Sequence, residues 1–177
     1  YVTLKVDASN VRRVEYDYYD GSDSYGSAGD LRRAQIQEWD GSAWNTKSTH
    51  YYRYYRSGDT DGVAHGVKYV LSPLGYASMV ALGITPETAT NGQIEANSKH
   101  WFKYNGDRSV KEEKVNAGAL TFGLTYSTSG FGNGVNNWKV KTIESLPDGN
   151  RRIVYTNHLG QAILRVLVRM SGGSETG

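Results

Sequence analysis

The sequence predicts a mainly β protein: an antiparallel meander of repeated β-hairpins with a small helical insertion at about residues 73–98. Apolar and polar residues alternate with period two in many short segments, as half-buried strands require. Seven Asp-Gly or Asn-Gly pairs punctuate the chain, and several stand between alternating segments, where they favour tight hairpin turns. Gly (21) and Tyr (14) are numerous and Pro (3) is scarce, which favours strands over disorder.

Residues 138–170 show most clearly the sequence pattern that recurs in the rest of the chain. They are predicted to form three consecutive strands joined by two tight turns. The turn at 147–150 reads Pro-Asp-Gly-Asn, in which Pro fixes φ while Gly and Asn accept positive φ. A second turn is predicted at 157–160. The last strand, 161–170, is apolar on both faces, so we expect earlier hairpins or a further part of a longer chain to cover it.

Upstream of residues 138–170, the same alternation predicts strands at residues 1–6, 11–19, 31–39, 49–55 and 65–71. The connection at 20–30 is polar and long for a hairpin, so we expect an exposed, mobile loop. Trp39 and Trp44 bracket a much tighter loop, which predicts a contact between their indoles across the strand pair.

The strand rhythm breaks at Ser72. Ser72-Pro73 has the form of a helix N-cap followed by Pro at the first helical position, and Leu74, Ala77 and Ala81 fall on one helical face. The sequence Thr-Asn-Gly-Gln at 90–93 matches a capping box, which predicts a helix over residues 94–98. A helical insertion at 73–98 follows.

After the insertion, strands are predicted at residues 99–104, 108–115 and 120–127, followed by a Gly/Asn/Ser-rich loop up to residue 137. The chain therefore divides into N-terminal hairpins (1–71), the helical insertion (72–98), a C-terminal meander (99–170) and a linker or disordered tail (171–177). A first strand without an initiator Met and a linker-like last segment lead us to expect a piece of a longer protein.

Charge and composition exclude several classes of protein. The formal net charge is +2, and no concentrated basic face is present, so a nucleic-acid partner is not expected. The chain has no Cys, which rules out disulfides and thiolate metal sites. No apolar run approaches the roughly 18 residues of a transmembrane helix, so no transmembrane segment is predicted.

Three segments can be laid over one another: residues 102–112, residues 154–163, and residues 14–20 continued by 29–32. They combine a Tyr-rich strand, an Asp or Asn turn and an Arg or aliphatic residue that begins the next strand. This pattern resembles the tyrosine-aspartate (YD) repeat of the RHS (rearrangement hot spot) family and covers about half of the chain. Asn105 and Asn157 stand where the family usually has Asp, and the helical insertion lies outside the pattern.

The resemblance implies a long antiparallel ribbon of hairpins, which in the family spirals into a shell or rod in secreted toxins, surface proteins and adhesion proteins. Self-cleaving members use a core segment with paired aspartates; no Asp-Pro-x-Gly occurs here, so that role is not implied. We expect a structural or interaction segment of a secreted or cell-surface protein (a shell, rod or adhesive stalk) without catalysis of its own. Its expected partners are the remainder of a longer chain, or further copies joined through β-edges.

The candidate chemical groups are scattered. His50, His65, His100 and His158 form no metal-binding motif, and the Asp-rich loops lack the twelve-residue calcium pattern ending in Glu. Glu112 and Glu113 are neighbours on a predicted strand, so they point to opposite faces. No nucleophile elbow, P-loop or dinucleotide fingerprint is present. We therefore predict no catalytic residues, no metal site and no cofactor.

Aromatic content is the one feature that points to a ligand. Rings exposed on a rigid sheet stack well on sugars or on partner proteins, and the candidate ligand-binding residues are Trp39, Trp44, Tyr52 and Tyr54. A carbohydrate-binding module is therefore the first alternative function. A glycosidase-like enzyme is the second, and it would require two carboxylates to converge about 5–9 Å apart.

Overall fold

The computed structural model describes residues 2–6, 9–171 and 174–176. Within these residues, twelve strands and two helices follow one another: β1 Val2–Val6, β2 Ser9–Tyr18, β3 Leu31–Trp39, β4 Trp44–Tyr54, β5 Val67–Leu71, α1 Pro73–Ala81, α2 Asn91–Glu95, β6 His100–Tyr104, β7 Val110–Val115, β8 Leu120–Thr128, β9 Val140–Ser145, β10 Arg151–Thr156, β11 Ala162–Ser171 and β12 Ser174–Thr176. The predicted fold class is confirmed: the protein is mainly β, an antiparallel meander with a small helical insertion.

The chain forms two compact units. Unit 1 contains residues 1–109 and 114–119, and unit 2 contains residues 110–113 and 120–177. In unit 1, β1 to β6 pair antiparallel in chain order, and in unit 2 so do β8 to β12. The cross-strand contact at the β3–β4 turn is confirmed, because Trp39 pairs with Trp44 and their ring centroids are 5.5 Å apart.

Five hairpin ends close in the same way. The first residue of the turn donates its N–H to the carbonyl of the last residue, and the next-to-last residue donates back to the first residue's carbonyl. That next-to-last residue always has positive φ, a conformation that favours glycine. The first and next-to-last residues are Tyr19/Gly29, Tyr55/His65, Asn105/Arg108, Leu146/Gly149 and Asn157/Gly160. Short and long loops therefore share one closing geometry.

The helical insertion covers one face of the sheet in unit 1. The Ser72 hydroxyl caps α1 by accepting a hydrogen bond from the Gly75 N–H, and the capping box at Thr90 and Gln93 forms as predicted. That second helix is Asn91–Glu95, so it begins and ends three residues earlier than expected. The predicted apolar face of α1 does not pack on the sheet: Leu74, Ala77 and Ala81 are all exposed, and the helix buries Met79 instead.

The core of unit 1 lies between the insertion and strands β4 and β5. Tyr51, Tyr69 and Leu71 project from the strands into a cluster with Met79 from α1 and Ile94 from α2. Since each of these side chains is at most 3% exposed, this cluster holds the insertion on the sheet by removing apolar surface from water.

Unit 2 has much less covered surface. Ile153 of β10 is buried, but residues 162–167 of β11 are all exposed. Leu164 and Leu167 lie on opposite faces because they are an odd number of residues apart, and they are 52% and 66% exposed. The described part of the predicted tail includes β12, which pairs with the end of β11; residues 172, 173 and 177 lie outside the described residues. Across the described ranges, no helix is long and apolar enough to cross a membrane.

Candidate functional site

The most distinctive contacts of unit 1 join each long hairpin loop to the strand that follows that hairpin. In the β2–β3 loop, the Tyr19 hydroxyl donates to the carbonyl of Tyr52 on β4 over 2.8 Å. The Tyr54 N–H donates back to the carbonyl of Tyr25 in the loop over 2.8 Å. The rings of Tyr19 and Tyr54 meet edge to face, with centroids 6.3 Å apart. We call this set of contacts the loop-strand lock.

The β4–β5 loop makes the same lock one hairpin later. The Tyr55 hydroxyl donates to the carbonyl of Phe102 over 2.8 Å, and the Tyr104 N–H donates to the carbonyl of Asp61 over 2.9 Å. The rings of Tyr55 and Tyr104 are again edge to face, 6.0 Å apart. Two hairpins of unit 1 are therefore copies of one structural unit, each fastened to the next strand.

A glycine lies against the lock tyrosine in both loops. A Cβ on Gly26 would come within 2.3 Å of the Tyr19 ring, and a Cβ on Gly62 within 2.0 Å of the Tyr55 ring. Both tyrosines are nearly inaccessible to solvent, and burial raises the pKa of the Tyr55 hydroxyl to about 12. The two rings are thus clamped between the loop backbone and the neighbouring strand.

The sequence carries a signal for this repeat that alternation and turn patterns did not reveal. Tyr16, Tyr18 and Tyr19 recur 36 residues later as Tyr52, Tyr54 and Tyr55, and Asp23, Gly26 and Ala28 recur as Asp59, Gly62 and Ala64. The three YD-like segments do not include residues 52–70. The matching lock contacts explain this spacing, because each lock requires the tyrosine ring to contact the glycine seven residues later.

A buried arginine fixes three segments of unit 1 around β4. Arg53 is only 1% exposed, and its guanidinium lies 3.4 Å from the centroid of the Tyr25 ring in the β2–β3 loop. It donates to the carbonyls of Pro86 and Ala89, over 3.0 and 2.6 Å, and to the Asn91 side chain over 2.8 Å. All these acceptors are neutral, so the charge is satisfied by hydrogen bonds and ring stacking. The β2–β3 loop, predicted to be exposed, therefore packs in part on a buried residue.

Asp30 and His65 link the two long loops directly. Nδ1 of His65 lies 2.8 Å from an oxygen of Asp30, and the other Asp30 oxygen accepts the Ser27 N–H. The Asp30 side chain is 8% exposed, whereas His65 is 55% exposed. Such a pair orients the imidazole, as in catalytic and metal sites. Here His65 also occupies the positive-φ closing position at which the equivalent β2–β3 loop has Gly29, which gives the pair a structural role between loops.

The structure divides the four predicted ligand-binding residues between two faces of the sheet. Trp44 pairs with Trp39, on the face that also carries Tyr51 and the helical insertion. A β-bulge at Lys47 then reverses the alternation, so Tyr52 and Tyr54 lie on the opposite face. There Tyr52 stacks on His50, with centroids 6.4 Å apart. Only Trp39 and Trp44 of these four rings are paired with each other, because Tyr54 meets Tyr19 and Tyr52 meets His50.

Acidic side chains near the insertion are held by arginines. Arg33 contacts Asp17 over 3.1 Å and Glu87 over 3.0 Å, and Glu87 also accepts the Tyr76 hydroxyl. In unit 2, both Arg152 Nε and Nη2 lie on the same oxygen of Glu144. In the described parts of the chain, no group of three or more His, Asp or Glu side chains is arranged to hold a metal ion.

Together, the fold and its contacts define a class: an antiparallel β-meander in which repeated hairpins fasten to one another through loop-strand locks. Comparisons of the chain with known protein families, with curated proteins and with solved structures found no match.

Proposed function

We propose that this chain is a structural or interaction segment of an RHS-like secreted or cell-surface protein, with no catalysis of its own. The observation that carries the proposal is the loop-strand lock, which occurs twice with the same donors and acceptors. A chain that repeats one unit, each fastened mainly to its neighbour, is typical of repeat architectures. Such hairpins joined into a continuous ribbon can form a shell, rod or adhesive stalk, and these structures do not require a binding cleft.

The exposed strand β11 indicates how such a segment interacts. Leu164 and Leu167 present apolar surface on both of its faces, and a single-layer sheet with two open faces gains stability when another layer or copy covers it. The expected partners are the remainder of a longer chain or further copies of the same segment.

Self-association tests this proposal. We expect sedimentation of the purified chain to show larger species as its concentration rises, and Leu167→Lys to weaken them. Burying one leucine is worth about 1.5–3 kcal/mol, so the association constant should fall by roughly 10- to 100-fold. Leu82→Lys is the matched control, since Leu82 is 72% exposed but belongs to the insertion of unit 1. A wild-type chain that stays monomeric at every concentration would rule out further copies as the partner and count against the proposal.

Carbohydrate binding is a second candidate, favoured by one observation. Trp39 remains 39% exposed beside Trp44 at the β3–β4 turn, and an exposed indole offers a face on which a sugar ring can stack. Titration with oligosaccharides should then change the tryptophan fluorescence of the wild type and leave that of Trp39→Ala unchanged. The absence of any response at millimolar ligand would count against this function.

A further inference from the structure

Three strand segments of unit 1 hold equivalent places beside a hairpin end: residues 16–18 of β2, 52–54 of β4 and 102–104 of β6. Each of these segments is positioned to receive a loop-strand lock. The β2–β3 loop occupies the second segment through Tyr19, and the β4–β5 loop occupies the third through Tyr55. In both, the ring at the third position is packed by a loop tyrosine.

The first segment is open. Tyr16 and Tyr18 are 41% and 54% exposed, whereas the residues at the same positions of the other two segments are half-buried. Within the described ranges, β1 pairs with β2 only as far as Val14, which lies opposite Val2. Because Tyr19 donates its N–H toward β3, the N–H of the preceding Tyr18 points toward the β1 side of the strand.

We propose that residues 16–18 form a docking surface for a further hairpin loop of the same type. The partner is a tyrosine-bearing loop with glycine seven residues after the tyrosine. Its hydroxyl donates to the Tyr16 carbonyl and its ring packs edge-on against Tyr18. The carbonyl six residues after the partner tyrosine accepts the Tyr18 N–H. These contacts are the same as those of the two existing locks. We infer the partner from them, because the chain already binds such a loop at the two equivalent segments. This inference rests on the proposed repeat architecture.

An added hairpin segment tests the docking surface. His50 and Val14 each lie two residues before their tyrosine segment; His50 pairs with Ala34, and Val14 pairs with Val2. In strand pairing, Val2 is therefore equivalent to Ala34, and counting one residue back along the sequence matches Tyr1 to Arg33. A second copy of residues 9–32, fused directly before Tyr1, then places its β2–β3 loop beside residues 16–18 in the same register as the existing locks. We expect hydrogen exchange of the Tyr18 amide to slow by at least about tenfold in the extended chain.

Two comparisons make the result decisive. The same extension with Tyr19→Ala in the copied segment only should leave the Tyr18 amide fast. In the chain without an extension, the Tyr18 amide should exchange quickly, while those of Tyr54 and Tyr104 stay protected. Amide exchange in the chain without an extension tests the inference even if the extended chain does not fold. The inference is overturned if Tyr18 is as protected as Tyr54 without the extension, or if the intact extension leaves it unprotected.

Failure of this inference can be told apart from failure of the proposed function. Association through β11 is measured by the Leu167→Lys comparison, which does not involve residues 16–18. A chain that associates through β11 but ignores the added loop would retain the structural role and lose only this docking surface.

Discussion

Gly62→Ala tests whether the loop-strand lock is held by close contact between the loop backbone and a tyrosine ring. A Cβ at this position would lie 2.0 Å from Cγ and Cδ1 of Tyr55, while ordinary van der Waals contact begins at 3.4 Å. The ring or the loop must therefore move by about 1.4 Å. The ring has little freedom to move, because its hydroxyl donates to the Phe102 carbonyl and its edge meets the Tyr104 ring.

The expected cost follows from these contacts. Overpacking costs about 1–3 kcal/mol, and weakening the hydroxyl hydrogen bond adds about 1 kcal/mol. We expect Gly62→Ala to lower the free energy of unfolding of unit 1 by about 2–4 kcal/mol, measured by urea denaturation followed by circular dichroism. Gly106→Ala is the matched control, since a Cβ there meets no atom within 4 Å, and its effect should stay within about 0.5 kcal/mol.

A double-mutant cycle identifies the contact responsible. In a Tyr55→Leu background the smaller side chain leaves room for the added methyl group, so the cost of Gly62→Ala should fall by at least half. Close contact between Gly62 and the Tyr55 ring is disproved if Gly62→Ala unfolds at the same urea concentration as Gly106→Ala, or if its cost is unchanged in the Tyr55→Leu background.

Three further perturbations test the electrostatics of unit 1. Arg53→Met leaves the acceptors of the guanidinium without a donor, and we expect a loss of about 3–5 kcal/mol in thermal unfolding; a loss below 1 kcal/mol would show that they find other partners. Burial raises the pKa values of Tyr54 and Tyr55 to about 12, from an ordinary value of 10.0. The folded state therefore favours neutral phenols, and the resulting stability is present below pH 10 and lost as the pH rises to 12. Tyrosinate absorbance together with unfolding at alkaline pH checks this, and ionisation of every tyrosine near pH 10 would disprove it. His65→Gly relieves a positive φ at a gain of about 1 kcal/mol, but it removes a hydrogen bond to the buried Asp30 carboxylate worth about 1.5–3 kcal/mol. We expect a net loss near 1 kcal/mol in urea denaturation, and a gain would mean that the bond contributes little.

The local features of the fold were predictable because they depend on neighbouring residues. Alternation located the strands, Pro147 and Gly149 located a turn, Ser72 located the start of α1, and Thr90 indicated the capping box of α2 but not its bounds, since cap and turn chemistry act over three or four residues. The exposed face of α1 was not predictable in the same way. Whether Leu74 or Met79 is buried depends on how the helix lies on the sheet, and its own sequence does not specify that.

The candidate site shows the same division. Trp44 and Tyr52 are an even number of residues apart, so simple alternation assigns them to one face of β4. The bulge at Lys47 adds one residue and reverses that assignment, and its place is set by pairing with β3. The 36-residue repeat of the lock tyrosines was present in the sequence, but their function became visible only once the partners Tyr52 and Phe102 were located.

By itself, the sequence determined the class of this protein: short alternating strands, Asx-Gly turns and one capped helical insertion. Tertiary structure decided which side chains meet. It placed Arg53 beneath Tyr25, joined Asp30 to His65, and left Tyr18 open where Tyr54 is covered. The physical reason is range: caps and turns are satisfied within one segment, whereas a lock needs a hydroxyl and a carbonyl more than thirty residues apart, brought together by the pairing of whole strands.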